Sequence, residues 1–169
     1  MKLDIKKLIT EIVREELDMD RPEGNESMKK IHRKIMEAEM NDFSRAYIEA
    51  ALWSETDNSD PSGGESLDKN YTFADIEETT FAQMIADCKD FQKKYKELYE
   101  QGEWTDEQAG HDFWLTRTGS GTGFWDRGYG NPEKEKVGRL LTKASRTYGS
   151  YSLYIGDGAY DGLVVGGGG

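Results

Sequence analysis

Three observations predict an α+β fold. Apolar residues recur at helical spacing through most of the first hundred residues and again after Pro132. Runs rich in β-favouring aromatics, DFWLTR, GFWDR and YSLYIG, lie among glycines in the last third of the chain. The resulting order, helices and then strand, strand, helix, strand, suits a small antiparallel sheet with helices packed on one face.

The elements follow in order. Leu3, Ile5, Leu8, Ile9, Ile12, Val13 and Leu17 mark an amphipathic helix over residues 2–18, which Pro22 and Gly24 break. A second helix starts near Ser27 and runs through Ile31 and Ile35. Asn41 or Asp42 caps a new helix holding Phe43, Ala46, Tyr47, Ala50 and Ala51. ETDNSDPSGGES, residues 55–66, is a loop by composition. From Thr79 or Thr80 a long helix places Phe81, Met84, Ile85, Cys88, Phe91, Tyr95, Leu98 and Tyr99 on one stripe, and Gly102 ends it.

Residues 112–117 and 123–127 read as two strands of a hairpin turned by TGSG, with Gly119, Gly121 and Gly123 supplying the positive φ that such turns need. Pro132 opens a further helix with Val137, Leu140, Leu141 and Ala144 inward, closing at Gly149. Residues 151–156 form a third strand. Residues 161–169 are a glycine-rich tail, read as disordered or as an appended remnant. Three parts result: a helical N-terminal extension over 1–40, an α+β domain over 41–160, and the tail.

Composition excludes several classes of function. No apolar run approaches the roughly 18 to 20 residues of a membrane span, and the charged N-terminus is not a secretory signal. Cys88 is the only cysteine, which rules out an internal disulfide and a cysteine-built zinc site and suits a reducing compartment. On the long-helix stripe it reads as a core thiol. The net charge of −11 is uneven: residues 1–54 carry −2, residues 55–110 carry −10 and residues 111–169 carry +1. Overall acidity opposes non-specific affinity for nucleic acid or anionic membrane.

The glycine run in AGHDFWLTRTGSGTGFWDRG does not make a phosphate loop, because no lysine follows and no helix is expected to begin there. His111 beside Asp112 suggests acid–base chemistry, but neighbours in a strand point to opposite faces. Two histidines without a partnering cluster do not make a metal site. No catalytic residue, cofactor or metal is therefore expected. Binding candidates are Trp114 and Trp125, one of which should be exposed on the hairpin. Arg117 and Arg127 join them, with Lys136, Arg139, Lys143 and Arg146 stacked along one face of the following helix.

FSRAYIEAALWSETD, the segment around DIEETTFAQMIADCKDFQ, and AGHDFWLTRTGSGTGFWDRG with YIGDG together resemble a family of small uncharacterised proteins of tailed bacteriophages, over about Phe43 to Gly158. Ser120 stands where that family more often has histidine. LITEIVREEL is similar to the short helical leaders of structural proteins of marine tailed phages. The resemblance implies a phage source and a domain boundary but no mechanism.

The expectation is a non-enzymatic protein that binds another macromolecule in the host cytoplasm or the virion. Its partner is protein rather than nucleic acid, and no membrane is involved. Two other readings stay open. One is a nucleic-acid-associated protein using the basic helix stripe. The other is an acidic DNA mimic that inhibits a host enzyme, although Lys89, Lys93, Lys94 and Lys96 interrupt the acids of the middle segment. An enzyme of unfamiliar type also stays open.

Overall fold

The computed structural model describes residues 24–168 apart from residue 60 and residues 157–163. The helix expected over residues 2–18 lies outside the described residues. The chain divides into two compact units at Glu39 and Met40. In the first, α1 spans Gly24–Glu39. All other described elements belong to the second, which has the α+β composition the sequence predicts: four helices and a two-stranded antiparallel sheet.

Helix α2, Asp42–Ser54, begins where Asn41 forms a capping box with Ser44. The Ser44 amide donates to Asn41 Oδ1 at 3.0 Å and the Asn41 amide donates to Ser44 Oγ at 2.9 Å. Two of the helix's orphan donors are thereby satisfied. Phe43, Tyr47, Ala50 and Ala51 are buried along one stripe. The loop that follows is pinned at its ends by a bridge between Thr56 and Ser66, and Leu67 is buried just beyond it.

Helix α3, Glu78–Gln101, is capped by Glu77 rather than by Thr79 or Thr80. The Glu77 carboxylate accepts from the amides of Thr79 (3.1 Å) and Thr80 (2.9 Å) and from both threonine hydroxyls. The threonines thus donate to the cap. Phe81, Met84, Ile85, Cys88, Phe91 and Tyr99 are buried, while Tyr95 and Leu98 are half-buried. Gly102 is the C-cap.

The expected hairpin is not present. Residues 112–117 lie inside helix α4, Asp106–Thr118, and residues 124–126 form a short 3-10 turn. Thr105 caps α4 in a box with Gln108, and Asp106 and Glu107 stand in its first turn where the helix dipole favours acids. Gly119 is in the left-handed region (φ 71°) and its amide reaches Leu115 O at 3.0 Å. Gly119 and Gly121 do supply positive φ, Gly119 to end a helix rather than to turn a hairpin, whereas Gly123 is extended (φ 170°). Helical periodicity fails here because α4 is buried nearly all round, from Ala109 through Arg117 with only His111 half-exposed.

Helices α2 and α4 form the most extensive pair in the domain. Gly110 permits it: a Cβ at that position would lie 2.0 Å from Phe43 O. Around this pair the aromatic core assembles, with Phe91 and Phe113 stacked at 4.1 Å between centroids and Phe43, Tyr47 and Phe124 packed about them. Arg117 enters the same core. Its guanidinium donates to Tyr47 Oη (2.7 Å), Asp87 Oδ2 (2.8 Å), Tyr148 O (2.9 Å) and Gly149 O (3.1 Å). Such a charge persists in the interior only because its donors and its counter-charge are matched.

Helix α5, Pro132–Arg146, starts at an Asn131 cap with Pro132 in the first turn. Val137, Leu141 and Ala144 are buried, but Leu140 is exposed on the opposite flank. Gly138 passes close to the Phe124 carbonyl, where a Cβ would lie 2.5 Å from the oxygen.

The sheet pairs β1, Ser152–Gly156, with β2, Val164–Gly168, in the register Leu153 to Gly167 and Ile155 to Val165. The glycine tail, for which no strand is expected, therefore supplies the second strand, and the sheet contains no part of the expected hairpin. Its glycines have a packing role at Gly167, whose amide donates to Thr80 Oγ1 at 3.1 Å. A Cβ there would come within 2.8 Å of Thr80 Cγ2.

Candidate functional site

A cleft of about 520 Å³ opens on one side of the α2–α4 pair. Helix α2 contributes Ala46, Glu49, Ala50 and Trp53, which recur at spacings of three, one and three and so share one face. Helix α4 contributes Glu107, Gln108 and His111 from its first two turns. Trp104, Asp112, Arg127 and Lys134 form the inner wall. The lining mixes the apolar Ala46, Ala50, Trp53 and Trp104 with the charged Glu49, Glu107, Asp112, Arg127 and Lys134.

Trp53 marks the mouth. Its indole is 58% exposed and lies over the His111 ring at 6.3 Å between centroids, tilted by 33°. Trp104 is the buried counterpart, covered on one face by Lys134 Nζ at 4.7 Å from the ring centroid. A cation at that distance is held by the ring's quadrupole.

Asp112 ties the inner wall together. Trp104 Nε1 donates to its Oδ2 at 2.9 Å, and Arg127 donates from Nε at 3.0 Å and from Nη2 at 2.8 Å. His111 Nδ1 stands 3.5 Å away, at the long limit for a hydrogen bond. Burial alone pushes the carboxyl up, but the bonds from His111, Arg127 and Trp104 outweigh it and hold it below the usual aspartate value. The same pair raises the Arg127 guanidinium further. Asp112 is thus a structural anion whose lone pairs are engaged, not a free base.

Glu49 and Glu107 contrast with it. Both are exposed on the cleft rim, and neither has an ion-pair partner within 4.0 Å among the described residues. They are carboxylates in water beside an exposed indole.

The sequence-predicted binding residues divide sharply. Trp114 is wholly buried and its Nε1 donates to Ser54 Oγ at 2.8 Å, so it serves the core and cannot be a contact residue. Arg117 is buried in the network described above and is equally unavailable. Trp125 is 38% exposed but stands apart from the cleft, its ring beside Gly123. Arg127 alone joins the cleft. Lys136, Arg139, Lys143 and Arg146 are all exposed on α5, as their spacing requires, and Arg139 lies 3.9 Å from Glu135. Cys88 is fully buried, and burial pushes its thiol well up.

Trp53, Glu49, Trp104, Glu107 and Lys134 were not singled out by the sequence. One signal was there for Trp53 and Glu49: both fall off the stripe of Phe43, Tyr47 and Ala51. A large indole on the polar side of an amphipathic helix needs a reason. Among the described residues no group of three His, Cys, Asp or Glu side chains is placed to hold a metal ion. No helix among them is long and apolar enough to cross a membrane. Comparison with family models, with curated proteins and with solved structures finds no match for the chain.

Proposed function

We propose that the protein works without catalysis, by binding another protein through the cleft between α2 and α4. The observation that carries this reading is Trp53, more than half exposed at the mouth of a cleft whose inner wall is fixed by the Asp112–Arg127 pair. Exposed tryptophans on rigid elements are favoured contact residues because they bury a large area at little cost in side-chain entropy. The engagement of Asp112 by three donors argues against its use as a proton acceptor. The resemblance of its segments to tailed-phage proteins supports a place of action in the infected host cytoplasm or in the virion.

The test is affinity capture from phage-infected host cells with the full chain and with its Trp53→Ala variant. A protein retained by the wild type and lost with the variant is the expected result. Capture unaffected by Trp53→Ala overturns the reading.

A second reading has its own observation, the four exposed cations of α5. They support association with nucleic-acid phosphates. Arg117 no longer contributes to that patch, since it is buried. Arg127 is already committed to Asp112.

A further inference from the structure

We infer that the cleft receives a cationic side chain, an arginine or lysine, from a basic segment of the partner protein. This inference rests on the protein-binding reading and adds the chemistry of the ligand. Three features point to it. Trp53 offers an exposed aromatic face, on which a guanidinium or ammonium is held by the ring quadrupole. Glu49 precedes Trp53 by four residues on α2, and Glu107 precedes His111 by four on α4, so each helix sets a carboxylate one turn from the tilted Trp53–His111 pair. These carboxylates have no cationic partner among the described residues, unlike Asp112. The two cations of the cleft are already occupied, Arg127 with Asp112 and Lys134 with the face of Trp104.

Long-range charge agrees with the local pattern. Residues 40–169 hold 23 acids against 13 bases, a net charge of −10. That field draws in a basic segment and repels an acidic one before any contact forms. An acidic ligand would have to meet Lys134 while crossing a rim lined by Glu49 and Glu107.

The experiment titrates full-length protein with an arginine-rich alanine peptide and, in parallel, with its glutamate counterpart. The indole N–H signals are followed by nuclear magnetic resonance. The four tryptophans give separate probes, and Trp53 is identified by the signal lost in Trp53→Phe. Saturable movement of the Trp53 signal by the arginine peptide, with Trp114 unmoved, is expected. The double variant Glu49→Gln, Glu107→Gln should weaken binding about fivefold or more, the size of one good exposed ion pair. Added salt should weaken it further. Both glutamates are exposed, so the variants should melt as the wild type does. No movement of Trp53, or tighter binding of the glutamate peptide, overturns the inference. If a partner is captured through Trp53 while the arginine peptide fails, the charge assignment falls and the protein-binding reading stands. If capture fails as well, both fall.

Discussion

Arg127 approaches Asp112 side-on, with Nη2 2.8 Å from Oδ1 and Nε 3.0 Å from Oδ2. The Asp112 side chain is almost wholly buried, whereas that of Arg127 is about half exposed. The anion thus depends on the pair more than the cation does. Asp112→Asn should cost about 2 kcal/mol in chemical denaturation, because an amide accepts with one oxygen only and turns its NH2 toward the donors that the other oxygen served. Where the NH2 takes the Oδ2 position, Trp104 Nε1 faces a donor instead of an acceptor, and its fluorescence should shift. A variant as stable as the wild type would show the pair to be dispensable.

Gly110 should not tolerate a methyl group. A Cβ 2.0 Å from the Phe43 carbonyl oxygen forces α2 and α4 apart, since backbone cannot yield as a side chain tip can. Gly110→Ala is expected to destabilise by about 2 kcal/mol or more despite alanine's better helix propensity. Thermal melting beside Gly119→Asn, where the left-handed backbone tolerates asparagine and nothing lies within 4 Å, provides the control.

Glu77 gives the acid limb of the stability curve a marker. Hydrogen bonds from the Thr79 and Thr80 hydroxyls and amides hold its carboxyl at about 2 against an ordinary 4.5. A depressed value in the folded state means the contribution is fully present above about pH 4.5 and is lost as pH falls toward 2. Glu77→Ala should cost about 1 kcal/mol at neutral pH, as helix caps do. Its deficit against the wild type should shrink between pH 4.5 and 2. Urea midpoints across that window decide it, and a constant deficit would assign Glu77 no ionic role.

The basic face of α5 is expected to bind neither duplex nor single strand at physiological salt, because the net charge of −10 over residues 40–169 opposes a polyanion. Fluorescence anisotropy with labelled oligonucleotides at low and moderate salt measures this. Micromolar binding that survives moderate salt and vanishes on replacing Lys136, Arg139, Lys143 and Arg146 by glutamine would favour the nucleic-acid reading instead.

The helices were legible where one side stays wet. Asn41 declared the start of α2, and the spacing of Val137, Leu141 and Ala144 set the inward face of α5. Leu140 was misjudged because spacing gives a direction but not the width of what covers it. Residues 112–117 were misread because a helix buried nearly all round has no alternation to display, and its Phe-Trp pair carries β propensity. The T-D-E-Q box at Thr105 and the glycine at 119 were the signals that outweigh propensity there. The cleft stayed hidden for another reason. Trp53 and His111 stand 58 positions apart in the chain, and the packing of α2 on α4, close at Gly110 and Phe43, brings them together.

Arg117 has a consequence for the way the domain comes apart. Its acceptors belong to α2, to α3 and to the segment after α5, at sequence separations of 70, 30, 31 and 32 residues. Removing any one segment leaves a desolvated cation short of partners, which makes a half-assembled domain more costly than either end state. The charge thus acts against partial opening. Native-state hydrogen exchange should find the slowest amides of α2 and α3 sharing one opening free energy, equal to that of global unfolding. In Arg117→Met the two helices should separate into openings of different free energy, the mark of a domain that has lost its cooperativity.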